Sequence, residues 1–285
     1  MAVRILVDST ADIPPARLKA LNISMVPLTV QFGDESYRDG VDLDGPAFYR
    51  KLVSTTKLPT TSTPSPGAFD EAYRGLIRDG ATGVLAMHIG SDLSGTYSIS
   101  RVAAEQISAE TGVPIVVIDS RQVSGGIGIP AEILAAEAQK GASLDSLRMH
   151  AESLFSRIRV YAILDTLEFL KRGGRIGGAQ AFLGTLLSMK PILEVKDSRV
   201  VAVERVRTRS KAQERIGQIV AALAPFEMIG LAKSDDAIGE QLTTVIRSFW
   251  QGEIQMFDLG AVIGTHAGPG AGAIVALIQA PEAVS

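Results

Sequence analysis

Hydroxyl-bearing side chains are concentrated in four short segments that follow predicted strands or join predicted elements. The segments are Asp8-Ser9-Thr10, Thr60-Thr61-Ser62-Thr63, Gly90-Ser91-Asp92-Leu93-Ser94-Gly95-Thr96 and Asp119-Ser120. Hydroxyl and backbone N–H groups are donors that suit an oxyanion, and loops at the carboxyl ends of parallel strands meet at one edge of a sheet. The pattern predicts an anion-binding site at that edge. Taken singly, the same residues are equally common as loop caps and turn formers.

Two side chains from the second half of the chain are candidates for the same site. Arg175 stands in a glycine-rich loop, and His266 precedes Gly268-Pro269-Gly270. A guanidinium binds carboxylates through charge-assisted hydrogen bonds, and an imidazole changes its charge near neutral pH. We therefore include both in the candidate site, while His266 taken alone is as consistent with a structural role.

A serine hydrolase is the enzymatic alternative. Ser91 or Ser94 would act as the nucleophile with His266 as the base, and Asp8 or Asp165 would complete a triad. Residues of these types occur by chance in any chain of this length. The Ser94-Gly95 pair also lacks the glycine that precedes the serine by two residues in a nucleophile elbow, because Asp92 occupies that position.

A nucleotide-binding module is a further alternative with weak support. Gly126-Ile127-Gly128-Ile129-Pro130-Ala131 fits a relaxed dinucleotide fingerprint, but it begins seven residues after the predicted strand end at Asp119. That separation is too long for the tight strand-to-helix turn that a pyrophosphate requires. The sequence also contains no Walker phosphate loop.

Composition narrows the chemistry further. The 285 residues include no cysteine and three histidines, and the formal net charge is −3. The absence of cysteine excludes disulfides, thiol catalysis and thiolate metal sites, and three histidines make an ordinary zinc site an unfavoured reading. A weakly acidic balance argues against nucleic acid as the main partner. We expect neither a metal nor a cofactor.

The arrangement of apolar runs predicts an α/β protein with two domains. In residues 1–158, runs such as Val3–Val7, Ser24–Phe32 and Gly83–His88 alternate with helix-like segments, and Lys57–Gly67 reads as a loop. This alternation predicts a doubly wound, mainly parallel sheet. Residues 159–285 contain a predicted hairpin around Lys196-Asp197-Ser198 and further strands and helices. We expect a second α/β domain there.

Charge is distributed unevenly between these halves. Residues 1–158 carry a net charge of −4 and residues 159–285 a net charge of +1. Within the second half, the segment from Arg199 to Arg215 holds six basic and two acidic residues, among them Arg207 and Arg209. A solvated face explains such a cluster, and a docking patch for an acidic partner is the sharper hypothesis.

No segment reads as a membrane span or a signal peptide. The longest continuous apolar stretch near the end, Ala271–Ala280, has about half the length needed to cross a bilayer. The amino-terminal residues enter a predicted strand without a signal-like apolar segment. We expect a cytoplasmic protein with at most transient membrane contact.

The hydroxyl-rich and glycine-rich segments, taken in order, resemble the DegV family across almost the whole chain. The matching segments are Val7-Asp8-Ser9-Thr10-Ala11-Asp12, Pro59–Pro66, His88–Tyr97, Leu164–Ile176, Lys190-Pro191-Ile192-Leu193, Val206-Arg207-Thr208 and His266–Gly270. Gly90 and Thr63 depart from the commoner serine and glutamine of the family pattern.

The resemblance implies the two-domain DegV fold and a bacterial protein that binds a long-chain fatty acid at the domain interface. The resemblance implies that Thr60, Thr61 and Ser91 hold the carboxylate. It places Ser94, Arg175 and His266 nearby. The family also implies that a separate ATP-dependent fatty acid kinase uses the presented acid to make acyl phosphate for phospholipid synthesis. Such a protein is a lipid carrier rather than an enzyme.

The expected function involves two further sets of residues. Arg207 matches a basic position associated with the kinase encounter, and Arg209 lies beside it. An acyl tunnel needs an apolar wall, for which the uncharged segment Ile176–Met189 is a candidate. The side chains chosen from it are Phe182, Leu183, Leu186 and Leu187. An ordinary core helix explains that segment equally well.

Overall fold

The computed structural model describes residues 2–55, 57–182 and 189–281. Within these ranges the chain forms thirteen strands and ten α-helices. The strands are β1 (Ala2–Asp8), β2 (Ile23–Val26), β3 (Thr29–Phe32), β4 (Glu35–Arg38), β5 (Thr60–Ser62), β6 (Ala81–His88), β7 (Ile115–Asp119), β8 (Ile158–Ile163), β9 (Lys190–Lys196), β10 (Arg199–Val206), β11 (Phe226–Lys233), β12 (Ile254–Asp258) and β13 (Gly272–Ile278). The helices are α1 (Pro15–Ala20), α2 (Gly45–Ser54), α3 (Pro66–Arg78), α4 (Thr96–Thr111), α5 (Gly125–Gln139), α6 (Leu144–Arg157), α7 (Glu168–Arg172), α8 (Arg209–Ala221), α9 (Asp236–Arg247) and α10 (Ala261–Ala267).

The first sheet is parallel and has the strand order β2-β1-β6-β7. Its two faces are covered by different helices. Successive side chains of a strand point to opposite sides, so each strand contributes to both cores. On β1, Leu6 packs in the core beneath α3 and α4, whereas Ile5 and Val7 belong to the core that includes α5. The predicted parallel α/β architecture is confirmed.

The second sheet is mixed and has the order β10-β9-β8-β13-β11-β12. The β11–β12 pair is parallel and the other pairs are antiparallel. On β13, Ile274 and Ala276 face α8 and α9, while Ala273 and Val275 face the core that is shared with β1 and α5. The mixed sheet therefore contributes one of its faces to a core that reaches the first sheet.

The β8 strand begins at Ile158, where the sequence analysis places the boundary between domains. One cluster of buried side chains nevertheless contains Val7 from the parallel sheet and Val275 from the mixed sheet. The two halves thus share a continuous apolar core, and their division into domains stays a prediction.

A third sheet, with the order β4-β3-β5, differs from the sequence-based expectation. Ser24–Phe32 was expected to be one strand, but Pro27 lacks the N–H that a ladder needs and separates β2 from β3. The expected loop Lys57–Gly67 contains β5, whose three residues pair with β3. A strand this short carries no periodicity from which it is predicted.

The uncharged segment Ile176–Met189 is described only in part. Gly177–Phe182 forms a 3₁₀ turn, and residues 183–188 lie outside the described residues. Elsewhere in the described ranges, no helix is both long enough and apolar enough to cross a bilayer.

Asp8, at the end of β1, organises a polar network that is shut off from solvent. Its Oδ1 accepts hydrogen bonds from the backbone N–H (2.9 Å) and hydroxyl of Thr10, and its Oδ2 accepts from the backbone N–H of Ile89 at 2.9 Å. His88 Nδ1 lies 3.1 Å from the same Oδ2, and His88 Nε2 lies 2.7 Å from Ser100 Oγ. The network fixes the ends of β1 and β6, from which two of the loops near the candidate site begin.

Removing the Asp8 carboxylate should destabilise the fold strongly. Asp8→Ala leaves buried donors without acceptors, so we expect the free energy of unfolding to fall by about 3–5 kcal/mol. Asp70→Ala is the matched control, because Asp70 pairs with Arg74 at the surface and its loss should cost at most about 1 kcal/mol. Urea denaturation measures both variants. Equal losses in the two variants would contradict the structural role of Asp8.

Candidate functional site

A cavity of about 170 Å³ lies between the loops at the carboxyl edge of the parallel sheet and one face of the mixed sheet. One buried water needs only about 10–15 Å³ measured in the same way, so the cavity is far larger than a packing defect. Its walls are mostly aliphatic, with contributions from Leu164 after β8, Leu193 on β9 and Val262 on α10. Such walls suit an apolar ligand.

Polar groups are gathered along one part of the cavity wall. Thr61, Ser94, Arg175 and His266 all line it. Thr61 Oγ1 lies 3.0 Å from His266 Nε2, which joins two residues that are 205 positions apart in the chain. The structure therefore brings together four of the six residues that the sequence analysis placed at the carboxylate.

The side chain of Thr61 reaches the cavity because of strand alternation. In the pairing of β5 with β3, Thr61 is opposite Val30, which is completely buried. Thr60 is exposed, as expected for the neighbouring residue on the opposite face of the strand. Thr60 does not line the cavity.

Two buried carboxylates hold the helix that carries His266. The backbone N–H of Gly260 donates to Asp12 Oδ1 at 2.9 Å, and that of Ala261 donates to Asp39 Oδ1 at 2.8 Å. These contacts satisfy orphan N–H groups at the start of α10. Burial raises the pKa of Asp39 to about 6. The anchoring fixes where the last turn of α10 presents His266.

The imidazole of His266 is kept neutral by its surroundings. Burial, followed by the positive charge of Arg175, lowers the pKa of His266 to about 4. Its Nδ1 is buried against Gly173 and has no hydrogen-bond partner among the described residues. An unpartnered N–H costs more than an unpartnered lone pair in this position, so we assign the proton to Nε2. In that tautomer Nε2 donates to Thr61, and the Thr61 hydroxyl proton is left to bind an anion.

Gly173 is required for this approach. A Cβ atom at residue 173 would lie 2.1 Å from Nδ1 of His266. The glycine-rich loop after α7 therefore serves to admit the imidazole.

Arg175 and Ser94 complete the polar part of the wall. Arg175 Nε donates to the carbonyl of Leu93 at 3.0 Å, and its Nη1 donates to the carbonyl of Gly173 at 2.7 Å. Ser94 Oγ lies 2.9 Å from Thr96 Oγ1. Arg175 thus links the loop after β6 to the loop after α7 while it remains partly open to solvent.

Ser91 lies in the loop after β6. It is exposed, does not line the cavity, and its backbone N–H donates to Asp119 Oδ1 at 3.1 Å. The contacts of Thr60 and Ser91 with a carboxylate stay a prediction. Ser124, which the sequence analysis did not select, is buried and lines the cavity. It precedes the glycines of α5 with a positive φ of 52°, and no sequence pattern identifies it.

Only part of the segment Ile176–Met189, which was the expected acyl wall, lies within the described residues. Phe182 is partly buried and does not line the cavity. The guanidinium carbon of Arg205 lies over the ring of Phe182, 4.8 Å from the centre of that ring. Leu183, Leu186 and Leu187 lie outside the described residues. The described wall comes instead from strands of the mixed sheet, from α10 and from the neighbouring loops.

The two arginines selected for docking have different environments. Arg207 is exposed. Arg209 is partly buried, and its Nη1 donates to both carboxylate oxygens of Asp165 at 2.8 and 2.9 Å. Its Nη2 donates to the carbonyl of Gly270 at 3.1 Å. Arg209 therefore holds the loop that follows His266.

The geometry does not assemble the alternative hydrolase site. His266 Nε2 contacts Thr61 rather than a serine, and Nδ1 has no carboxylate partner in the described part of the chain. A Ser–His–Asp chain does exist in Ser100, His88 and Asp8, but all three residues have no exposed surface. No substrate reaches that network in this conformation. The described residues also contain no group of three or more His, Asp or Glu side chains placed to hold a metal ion.

The fold and the site define a class of α/β protein in which a parallel and a mixed sheet enclose an apolar cavity with polar groups at one part of its wall. A sequence model described as an uncharacterised protein of the DegV family matches residues 2–279. The chain belongs to the DegV family.

Individual relatives agree with this assignment. The chain is 34% identical to the DegV domain-containing protein SCO2569 of Streptomyces coelicolor over 273 residues, which cover 94% of this chain and 95% of the relative. A DegV family protein from Thermus thermophilus that binds fatty acid matches with a TM-score of 0.89 and 35% identity, over 98% of this chain and all of that one. A stearic acid-binding protein from Eubacterium ventriosum matches with a TM-score of 0.88 and 25% identity, over 96% of this chain and 98% of that one.

The protonation of His266 provides a direct test of the site. We expect its imidazole resonances to titrate with a midpoint near pH 4, as its lowered pKa requires, and Arg175→Gln to raise that midpoint by removing a positive charge. Between pH 4 and pH 6.5, which is the usual pKa of histidine, the His266 imidazole is protonated in the unfolded chain and neutral in the folded protein. The contribution of His266 to stability is thus complete above pH 6.5 and is lost as the pH falls through 4.

Nuclear magnetic resonance measures this titration. The spectrum of His266→Gln assigns the signal among the three histidines. A midpoint close to 6.5 in the wild-type protein would contradict the buried, neutral imidazole.

Proposed function

We propose that this chain binds one long-chain fatty acid, with the carboxylate at Thr61 and His266 and the acyl chain along the aliphatic wall of the cavity. The observation that carries the proposal is the composition of that cavity. Its wall is mostly aliphatic, and Thr61, Ser94, Arg175 and His266 supply a group of donors that suits an anion. The fatty-acid-binding relatives from Thermus thermophilus and Eubacterium ventriosum, which match almost the whole chain, support the same ligand class.

Burial of the acyl chain supplies the affinity. Each methylene removed from water contributes about 0.8 kcal/mol, so roughly fifteen methylenes contribute on the order of 12 kcal/mol before the costs of ordering are subtracted. A cavity of mixed polarity would provide less binding free energy for an acyl chain, because each polar wall group left without a partner costs free energy. The aliphatic wall therefore favours a lipid over a small polar metabolite.

The polar group of the site meets the needs of a carboxylate. An ionised carboxylate in an apolar interior must accept hydrogen bonds or it takes up a proton. In the tautomer assigned to His266, the hydroxyl of Thr61 donates to the carboxylate, while Ser94 and Arg175 lie on the same part of the wall. A bound negative charge also raises the pKa of His266 toward its usual value.

Loss of the Thr61 hydroxyl should weaken fatty acid binding. Thr61→Val keeps the shape and removes the donor, so we expect the dissociation constant to rise about tenfold, the equivalent of one hydrogen bond to a charged group. Displacement of a fluorescent fatty acid from delipidated protein measures the effect. Thr29→Val is the matched control, because Thr29 lies on the neighbouring strand β3 and does not line the cavity.

Unchanged affinity in Thr61→Val would remove this residue from the carboxylate site. The same assay with Thr60→Val and Ser91→Ala tests the residues that the family resemblance adds. If either of those variants weakens binding while Thr61→Val does not, the carboxylate lies outside the cavity wall described above.

The second part of the proposal concerns the use of the bound acid. The chain acts in the cytoplasm as a carrier that presents the fatty acid to a separate ATP-dependent kinase, which forms acyl phosphate for phospholipid synthesis. The groups at the cavity bind and orient a carboxylate, and the phosphoryl group comes from the partner. Arg207 supports a docking surface beside the cavity, since it is exposed and lies two residues from Arg209, which contacts the loop after His266.

Charge reversal at Arg207 should separate binding from presentation. We expect Arg207→Glu to lower the rate of kinase-dependent acyl phosphate formation at least tenfold and to leave the bound lipid unchanged, because rim charges act mainly on association. Arg148→Glu, a reversal at a partly exposed arginine on α6, is the control. Equal rates for wild type and Arg207→Glu with the same kinase would exclude Arg207 from the docking surface.

A further inference from the structure

Side chains on the cavity face of the mixed sheet form two rows that run across the strands. The strand registers place Leu193, Ala162, Ala273 and Ala232 in the first row and Val195, Val160, Val275 and Gly230 in the second. Every member of these rows except Gly230 lines the cavity. The middle of the first row thus carries only methyl groups, whereas the middle of the second row carries two valines.

The cavity ends at the second row. The next row on the same face is formed by Ile158 and Leu277, which are opposite each other in the β8–β13 pair. Both are buried, and neither lines the cavity. The polar group that includes His266 is on the other side, because His266 and Ala271 precede β13 in the chain and both line the cavity. Ser124, which also lines the cavity, is next to the glycine turn of α5. A ligand whose carboxylate lies at His266 therefore meets the alanine row first and the valine row last.

The first turn of α5 holds the valine row in place. A Cβ atom on Gly126 would lie 2.8 Å from Val160 Cγ2, and one on Gly125 would lie 3.2 Å from Val275 Cγ2. Such distances leave no space for any side chain between the helix backbone and the two valines. Gly126, which belongs to the weak dinucleotide fingerprint, and its neighbour Gly125 thus let α5 pack directly against the end of the cavity.

We propose that Val160 and Val275, backed by the glycine turn of α5, are the end stop that sets the longest acyl chain the cavity accepts. The alanines of the first row are the passage through which the chain reaches that stop. This inference rests on the proposed fatty acid binding and adds the residues that select chain length.

The spacing of the rows sets the scale of the selection. Rows on one face of a strand are two residues apart, which is about 6.8 Å. An extended chain of single bonds advances about 1.2 Å per bond, as in an extended polypeptide backbone. One row therefore corresponds to about five or six carbons. Changes of a few methyl groups at these rows should alter the preferred chain length by two carbons or more.

Competition among fatty acids tests the end stop. Delipidated protein is incubated with an equimolar series of straight-chain saturated acids that differ by two carbons, and the bound acids are extracted and quantified by mass spectrometry. We expect the double variant Val160→Ala, Val275→Ala to shift the preferred acid to a longer chain by at least two carbons. Ala273→Val should shift it to a shorter chain, because it narrows the passage.

Matched controls separate the end stop from general destabilisation. Ala276→Val makes the same substitution on the same strand but on the opposite face, and Val84→Ala removes the same methyl groups from β6 in a separate core. Neither control residue lines the cavity, and both variants should keep the wild-type preference. If Ala273→Val does not fold, the double variant Val160→Ala, Val275→Ala still tests the proposal.

The outcomes distinguish the two proposals. If the wild-type protein binds fatty acids but the double variant Val160→Ala, Val275→Ala prefers the same chain length, the end stop is wrong and fatty acid binding stands. If the wild-type protein retains no acid of any length, the proposed function itself is wrong.

Discussion

The contact between Thr61 and His266 is the interaction on which the site depends. It joins a residue of the small sheet to one that follows 205 positions later, and it lies where an aliphatic cavity needs its few donors. An anion in such a cavity is stable only if hydrogen bonds replace its water. A buried, neutral imidazole that donates to Thr61 leaves the threonine hydroxyl free for this purpose. Gly173, Asp12 and Asp39 serve this contact by admitting or anchoring the element that carries His266.

Much of the parallel sheet was predictable, because each of its long strands is an apolar run that ends in polar residues. The small sheet was not, since β5 has three residues and is defined only by its pairing with β3. The same limit applies to the site. Thr60 and Thr61 are equivalent in the sequence, and only the register of β5 decides which of them faces the cavity.

Other parts of the site depend on contacts that no local pattern contains. Arg209 was selected as a surface charge, yet the structure directs its guanidinium to Asp165 and the loop after His266. The described acyl wall includes residues from five strands of the mixed sheet, whereas the expectation was a single uncharged segment. Gly126 belongs to a weak nucleotide motif in the sequence, and in the structure Gly126 and Gly125 allow close packing of α5 on Val160 and Val275.

A crystal structure of the protein with a bound long-chain fatty acid tests the central claim most directly. We expect a carboxylate oxygen within hydrogen-bond distance of Thr61 Oγ1. We also expect an acyl chain that passes Ala162 and Ala273 and ends at Val160 and Val275. A fatty acid bound elsewhere on the protein, or one whose carboxylate lies at the valines, would contradict this arrangement.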